Sequence, residues 1–185
     1  MSEPNLQKAL TQSDLIHPRS VLLAAIERVA QEIDAFYADA EQPPVFLTVL
    51  NGGVMFSGLL SLSLQTRCVF DSIHATRYRS GTSGHEVTWG KWAKLDLKGR
   101  DVLIVDDILD EGRTLSAIVQ RCQEAGARRV NIAALCAKRH GRCVPGLHVD
   151  FVGVEVPDRY VYGFGMDYYE LGRNLPAIYA LKDGV

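Results

Sequence analysis

The chain has 185 residues, 47% hydrophobic and 23% charged, enough for one domain with a substantial core and a small accessory lobe. Lys and Arg total 20 against 22 Asp and Glu, a formal charge of −2, so there is no basic field for nucleic acid, and partners are expected to be small molecules or other subunits. No apolar run approaches the ~20 residues that cross a bilayer and residues 1–10 are too polar for a signal peptide, so no membrane partner and residence in the cytoplasm are expected.

After the polar start, Ser20 is placed to cap a helix with an apolar stripe of Leu22, Ile26, Val29, Ile33 and Phe36, stopped before Pro43 and Pro44. Residues 45–50 read as a buried strand, Asn51-Gly52-Gly53 as a tight turn, and 54–65 as a helix. The next strand is expected at 67–75, followed by a Ser/Gly/Thr-rich loop at 79–85 and a two-tryptophan segment, 89–95, that pairs back as a hairpin. A strand starts near Asp101 after the turn residues Gly99 and Arg100. The helix at 114–125 carries Leu115, Ile118, Val119 and Cys122 and stops at Gly126.

Residues 130–137 and 150–154 are further strands, whereas 156–182, with many aromatics, glycines and prolines, fits no regular helix. The alternation predicts an α/β fold, a parallel sheet with helices on both faces, in one unit without repeats. Cys68, Cys122, Cys136 and Cys143 show no C-x-x-C or zinc spacing and are expected as reduced thiols. The five histidines form no ligand spacing and receive no role, most being expected at the surface or in loops.

The segment 102–116 carries the chemistry. An apolar strand runs into Asp106 and Asp107, then Asp110, Glu111, Gly112, Arg113 and Thr114, and then the helix. Adjacent aspartates at the end of a buried strand are costly unless paired or at a solvent-filled edge, and strand ends of parallel sheets are where ligands bind. Free N–H groups at the following helix N-terminus, with the Thr114 hydroxyl, suit a phosphate. The carboxylates suit ribose hydroxyls, directly or through magnesium, an oxygen-seeking cation.

Residues 102–114 match the full pattern of the ribose-phosphate signature, and the segment resembles that of the type I phosphoribosyltransferases. Other segments, over residues 45–175, narrow the resemblance to the hypoxanthine-guanine phosphoribosyltransferases. Leu50-Asn51-Gly52-Gly53 resembles the family's pyrophosphate loop, with Asn51 in place of its usual lysine. The resemblance implies a cis peptide joining Asn51 to Gly52. Asp167-Tyr168-Tyr169-Glu170-Leu171-Gly172-Arg173 matches a stretch whose arginine, here Arg173, binds the leaving pyrophosphate, with Asp167 near a second magnesium ion on that side.

Lys138, closing a strand, matches the lysine that donates to the exocyclic oxygen of a 6-oxopurine. Pro157-Asp158-Arg159-Tyr160-Val161 resembles the purine-binding stretch, in which Tyr160 stacks on the base and Val161 reads its edge; Asp167 belongs to the same purine-side group. Arg77-Tyr78-Arg79-Ser80-Gly81 resembles the family's lid, with Arg77 where serine is usual. Glu111 is also a departure, and its side chain is expected to point away from phosphate.

The resemblance implies the type I fold with a small hood built mainly from 156–185 and N-terminal residues. It implies Mg2+ as cofactor, held by Asp106, Asp107 and Asp167, and a homodimer or homotetramer. Phosphoribosyl pyrophosphate and a 6-oxopurine would be the substrates, with the ribose and 5′-phosphate bound by Asp106, Asp107, Asp110, Glu111, Gly112, Arg113 and Thr114, pyrophosphate by Asn51, Gly52 and Arg173, and Asp110 taking a proton from N7 of the base. A xanthine-preferring transferase and a nucleotide-sensing regulator on the same fold stand beside this reading.

Overall fold

A computed structural model describes residues 5–77 and 87–184. In chain order the elements are α1 (Leu6–Thr11), β1 (Ser13–His17), α2 (Arg19–Phe36), β2 (Val45–Leu50), α3 (Val54–Ser63), β3 (Val69–Arg77), β4 (Val87–Lys91), β5 (Asp101–Leu109), α4 (Arg113–Glu124), β6 (Arg129–Lys138), β7 (Phe151–Val156), β8 (Val161–Tyr162) and β9 (Ile178–Leu181). The main sheet has the order β4-β3-β2-β5-β6-β7, parallel except for β4, which pairs back on β3 as the expected hairpin.

The near-continuous apolar run of β5 is explained by burial on both faces. Its Leu103 and Val105 pack with α2 and α3, through Leu22, Ile26, Phe56 and Leu60. Its Val102 and Ile104 pack with Leu115, Ile118 and Cys122 of α4 on the opposite face. Alternation of period two along the strand thus divides two cores between the two helical layers. All four cysteines are free, Cys122 and Cys136 being buried within these cores.

A second sheet, in the order β1-β9-β8, is antiparallel and joins the start of the chain to its end. Its Val161, Ile178 and Ala180 continue the core beneath α2 and α3. The chain between β8 and β9 turns through Gly163 and Gly165, both at positive φ, and a Cβ on Gly165 would lie 2.2 Å from the Gly52 carbonyl oxygen. The small sheet is thereby set against the turn that follows β2.

Several local expectations change. Helix α2 is capped by Pro18, whose carbonyl accepts from Val21 and Leu22, and Ser20 lies inside the helix. Helix α3 ends at Ser63, since Leu64 is extended and the N–H groups of Gln65 and Thr66 donate to the Asp34 carboxylate instead. The non-proline cis peptide joins Leu50 to Asn51, one residue before the position expected. The predicted loop at 79–85, with Tyr78, lies outside the described residues, and Arg77 is described as the backbone end of β3, paired with Val87.

Candidate active site

The ends of β2 and β5 are neighbours in the sheet, so the turn after β2 and the acidic end of β5 open on the same edge. The two are in direct contact. A Cβ built on Gly52 would meet Asp107 Oδ2 at 1.9 Å, and one on Gly53 would meet the carbonyl oxygens of Val49 and Val105 at 2.7 and 2.8 Å. The glycines therefore let the turn's backbone press onto the carboxylate, leaving the amides close to whatever fills the cleft.

Asp106 and Asp107 are 8% and 9% exposed. Asp106 accepts the Asp107 backbone N–H at 2.9 Å. Burial raises both carboxyls above the ordinary range; for Asp106 the neighbouring Asp107 adds to it, while for Asp107 hydrogen bonding from Asp106 and the charge of Arg173 oppose it. Two buried, adjacent oxygen donors short of positive charge are the donor set a hard divalent cation takes, and magnesium fits them. Asp167 does not join them, being occupied by Arg173 at 2.9 Å and by the Glu170 N–H at 2.9 Å. Among the described residues no cluster of three or more acids, histidines or cysteines is arranged for a metal.

Past β5 the loop enters α4 through Gly112 at φ 76°, and no side chain caps the helix. A side chain at 112 would strike Leu147, 2.3 Å from its Cβ. The uncapped first turn faces the cleft with Thr114 beside it. Glu111, the acid that departs from the family pattern, is matched by Arg113, whose Nε donates to its carboxylate at 3.0 Å.

Arg173 donates to the Gly165 carbonyl at 2.8 Å and pairs with Asp167, which directs a part-buried guanidinium into the cleft. The cleft holds about 270 Å³ and brings together Asn51, Gly52, Asp106, Asp107, Asp110, Glu111, Gly112, Arg113, Thr114 and Arg173. Lys138, Tyr160, Val161 and Asp167 are not among its walls; Lys138 is tied to them through Asp110 and Asp167 through Arg173. Lys138 Nζ donates to Asp110 Oδ2 at 2.8 Å, and the Tyr160 hydroxyl donates to the Asp167 carbonyl at 3.2 Å. Tyr160 is 41% exposed, with Tyr169 nearly parallel to it at 6.5 Å between centroids; Val161 is buried in β8.

Burial alone would raise the Asp110 carboxyl, but hydrogen bonds from Lys138 and His140 and the charge of Lys138 outweigh it and hold the group below the ordinary carboxylate range. His140, given no role from sequence, lies 2.7 Å from Asp110 with a side chain only 3% exposed. It lies in a bend two residues beyond the end of β6, where strand periodicity no longer applies, so no sequence signal placed it beside Asp110.

A phosphoribosyl transferase domain model matches residues 13–170. The hypoxanthine-guanine phosphoribosyltransferase of Streptococcus pyogenes is 33% identical over 100% of this chain and 98% of its own length. The hypoxanthine-guanine-xanthine phosphoribosyltransferase of Tritrichomonas foetus is 32% identical over 98% and 94% of the two chains. A crystal structure of a hypoxanthine phosphoribosyltransferase from Staphylococcus aureus superposes with a TM-score of 0.85 at 27% identity, covering 98% of this chain and 97% of that one.

Proposed function

The chain belongs to the phosphoribosyl transferase domain family, and from that premise we propose that it is a purine salvage enzyme, a hypoxanthine-guanine phosphoribosyltransferase. It transfers ribose-5-phosphate from phosphoribosyl pyrophosphate to N9 of hypoxanthine or guanine, releasing pyrophosphate with IMP or GMP. The observation that carries this reading is the cleft in which Asp106, Asp107 and the uncapped start of α4 face Gly52 and Arg173, with Asp110 held beside Lys138.

The roles follow from chemistry at each wall. The 5′-phosphate is bound at the α4 N-terminus by backbone N–H groups from Asp110 to Thr114 and by the Thr114 hydroxyl. Asp106 and Asp107 accept from the ribose hydroxyls and would hold magnesium, which would supply positive charge against the donor's anionic oxygens; Asp167, on the pyrophosphate side, would hold a second ion only on giving up Arg173. Asn51 and Gly52 offer backbone N–H groups to the pyrophosphate, and Arg173 donates to it as it departs. As N9 bonds to C1 of the sugar, the C1–O bond breaks and its electron pair leaves with pyrophosphate. The proton on N7 passes to Asp110.

Lys138 donates to O6, and Val161 accepts from N1–H and the 2-amino group through its carbonyl. Tyr160 stacks on the ring. Xanthine shares O6, and one relative carries it in its name, so a wider base range is the second reading. The enzyme is proposed to act in the cytoplasm as a homodimer or homotetramer; no described helix is long and apolar enough to cross a membrane, and Val54, Gly58, Ser61 and the exposed Phe70 line a shallow apolar depression on α3 and β3. Incubation with magnesium, phosphoribosyl pyrophosphate and each base in turn tests the assignment. IMP and GMP formation is expected and AMP formation is not; absence of product with every base would leave the sensor reading.

A further inference from the structure

Asp110 sits between two donors of different kinds. Lys138 Nζ donates to Oδ2 at 2.8 Å, and His140 Nε2 lies 2.7 Å from Oδ1. The Arg142 backbone N–H donates to His140 Nδ1 at 3.1 Å, so Nδ1 keeps its lone pair and the ring proton resides on Nε2. The imidazole is thereby a neutral donor of fixed tautomer.

Its surroundings hold it there. The ring is 3% exposed, against 44% for the Asp110 side chain. Arg142 is anchored by two bonds to Asp158, of 2.7 and 2.6 Å, and the Val144 N–H donates to the Glu111 carbonyl at 2.9 Å. The segment that carries His140 is thus tied to both the phosphate loop and the purine side.

Building on the transfer reaction above, we infer that His140 is a positioning residue, which holds Oδ1 of Asp110 while Lys138 turns from Oδ2 to the exocyclic oxygen of the arriving base. A carboxylate has a broad terminal torsion, so one that loses its sole donor is free to rotate. With Oδ1 held, the vacated Oδ2 stays aimed at the base edge, which shortens the search for the proton-accepting geometry. A neutral donor also orients the group without adding a second cation beside a carboxylate that must act as a base.

Three variants separate positioning from packing. His140→Leu removes the donor, His140→Gln returns an amide N–H at the reach of Nε2, and His140→Asn places it at the depth of Nδ1. The leucine variant is expected to lose about 10- to 100-fold in kcat, as for a hydrogen bond to a charged group, with the KM for phosphoribosyl pyrophosphate within about twofold of the parent. Glutamine is expected to recover most of that loss and asparagine little. Parental kcat in His140→Leu, equal loss in the leucine and glutamine variants, or a loss confined to donor KM overturns the proposal.

A second readout needs no turnover. In protein labelled with 15N-histidine, the ring signal missing from His140→Gln is expected to show the Nε2-protonated tautomer and to move in Asp110→Ala. An Nδ1-protonated ring, or one indifferent to Asp110→Ala, overturns the contact. Parent protein that forms no nucleotide from any 6-oxopurine overturns the reaction and the positioning role with it, and the ring spectrum then reads the contact alone.

Discussion

Gly52 and Asp107 occupy one another's space: the point where a Cβ would stand on Gly52 is 1.9 Å from the Asp107 carboxylate oxygen. The turn that follows β2 is therefore shaped by an acid at the end of the neighbouring strand β5, and its glycine is required by that acid. Asp107 is short and buried and cannot swing clear as a long flexible side chain could. Gly52→Ala is expected to displace either the turn or the carboxylate and so to raise the KM for phosphoribosyl pyrophosphate about 10-fold or more, with a smaller effect on the KM for the base. Steady-state kinetics with each substrate varied in turn checks it, and equal effects on both would argue for general loss of packing.

Much of this arrangement is legible in the sequence, because the features that build it are local. The apolar run into Asp106, the glycine that enters α4 and the apolar stripe at Leu22, Ile26, Val29 and Ile33 each follow from patterns within a few residues. What could not be read depends on distant partners. Strand β1 exists because β9 pairs with it from the far end of the chain, and the end of α3 is set by Asp34, some 30 residues upstream. His140 was missed for the same reason: an isolated histidine after a strand carries no spacing signal until Asp110 is brought to it by the β5 and β6 register.

Asp110→Asn removes the proton acceptor while keeping the shape; its one side-chain oxygen serves either Lys138 or His140, which bond different carboxylate oxygens in the parent. The expected outcome is a fall in kcat of about 100-fold or more with donor affinity near that of the parent. Single-turnover measurement of nucleotide formation from hypoxanthine, with donor binding measured separately, checks it. Unchanged turnover would remove Asp110 from the chemistry.

Lys138→Met keeps volume and removes a charge. Hypoxanthine use is expected to fall roughly 10-fold or more relative to any residual use of adenine, since the buried donor that matches O6 is gone. The same substitution affects the pH profile in a definite direction. Asp110 accepts a proton only as the carboxylate, and Lys138 helps hold its carboxyl below the ordinary range, so activity is retained as pH falls. Without the ammonium the carboxyl titrates at higher pH, and the acid limb of kcat/KM is expected to move upward. A limb that stays in place would mean that another group sets it.

Asp101, at the opposite end of β5, offers a stability test away from the chemistry. Its carboxylate is 1% exposed and receives bonds from Arg128 at 2.9 and 3.0 Å and from Arg129 at 2.6 Å, fastening the start of β6 to the start of β5. The Arg128 hydrogen bonds are the largest influence on it; with Arg129 they outweigh burial and lower the carboxyl below its ordinary value. A carboxyl lowered in the folded state adds stability that is present above its unfolded value and is lost as pH falls through the folded one. Asp101→Asn keeps the shape but loses the charge, and is expected to cost about 2 kcal/mol at neutral pH. Urea unfolding at pH 7 and again below pH 4 checks both parts: the gap between parent and variant should narrow toward acid, and a gap independent of pH would assign the loss to packing at residue 101 instead of to its charge.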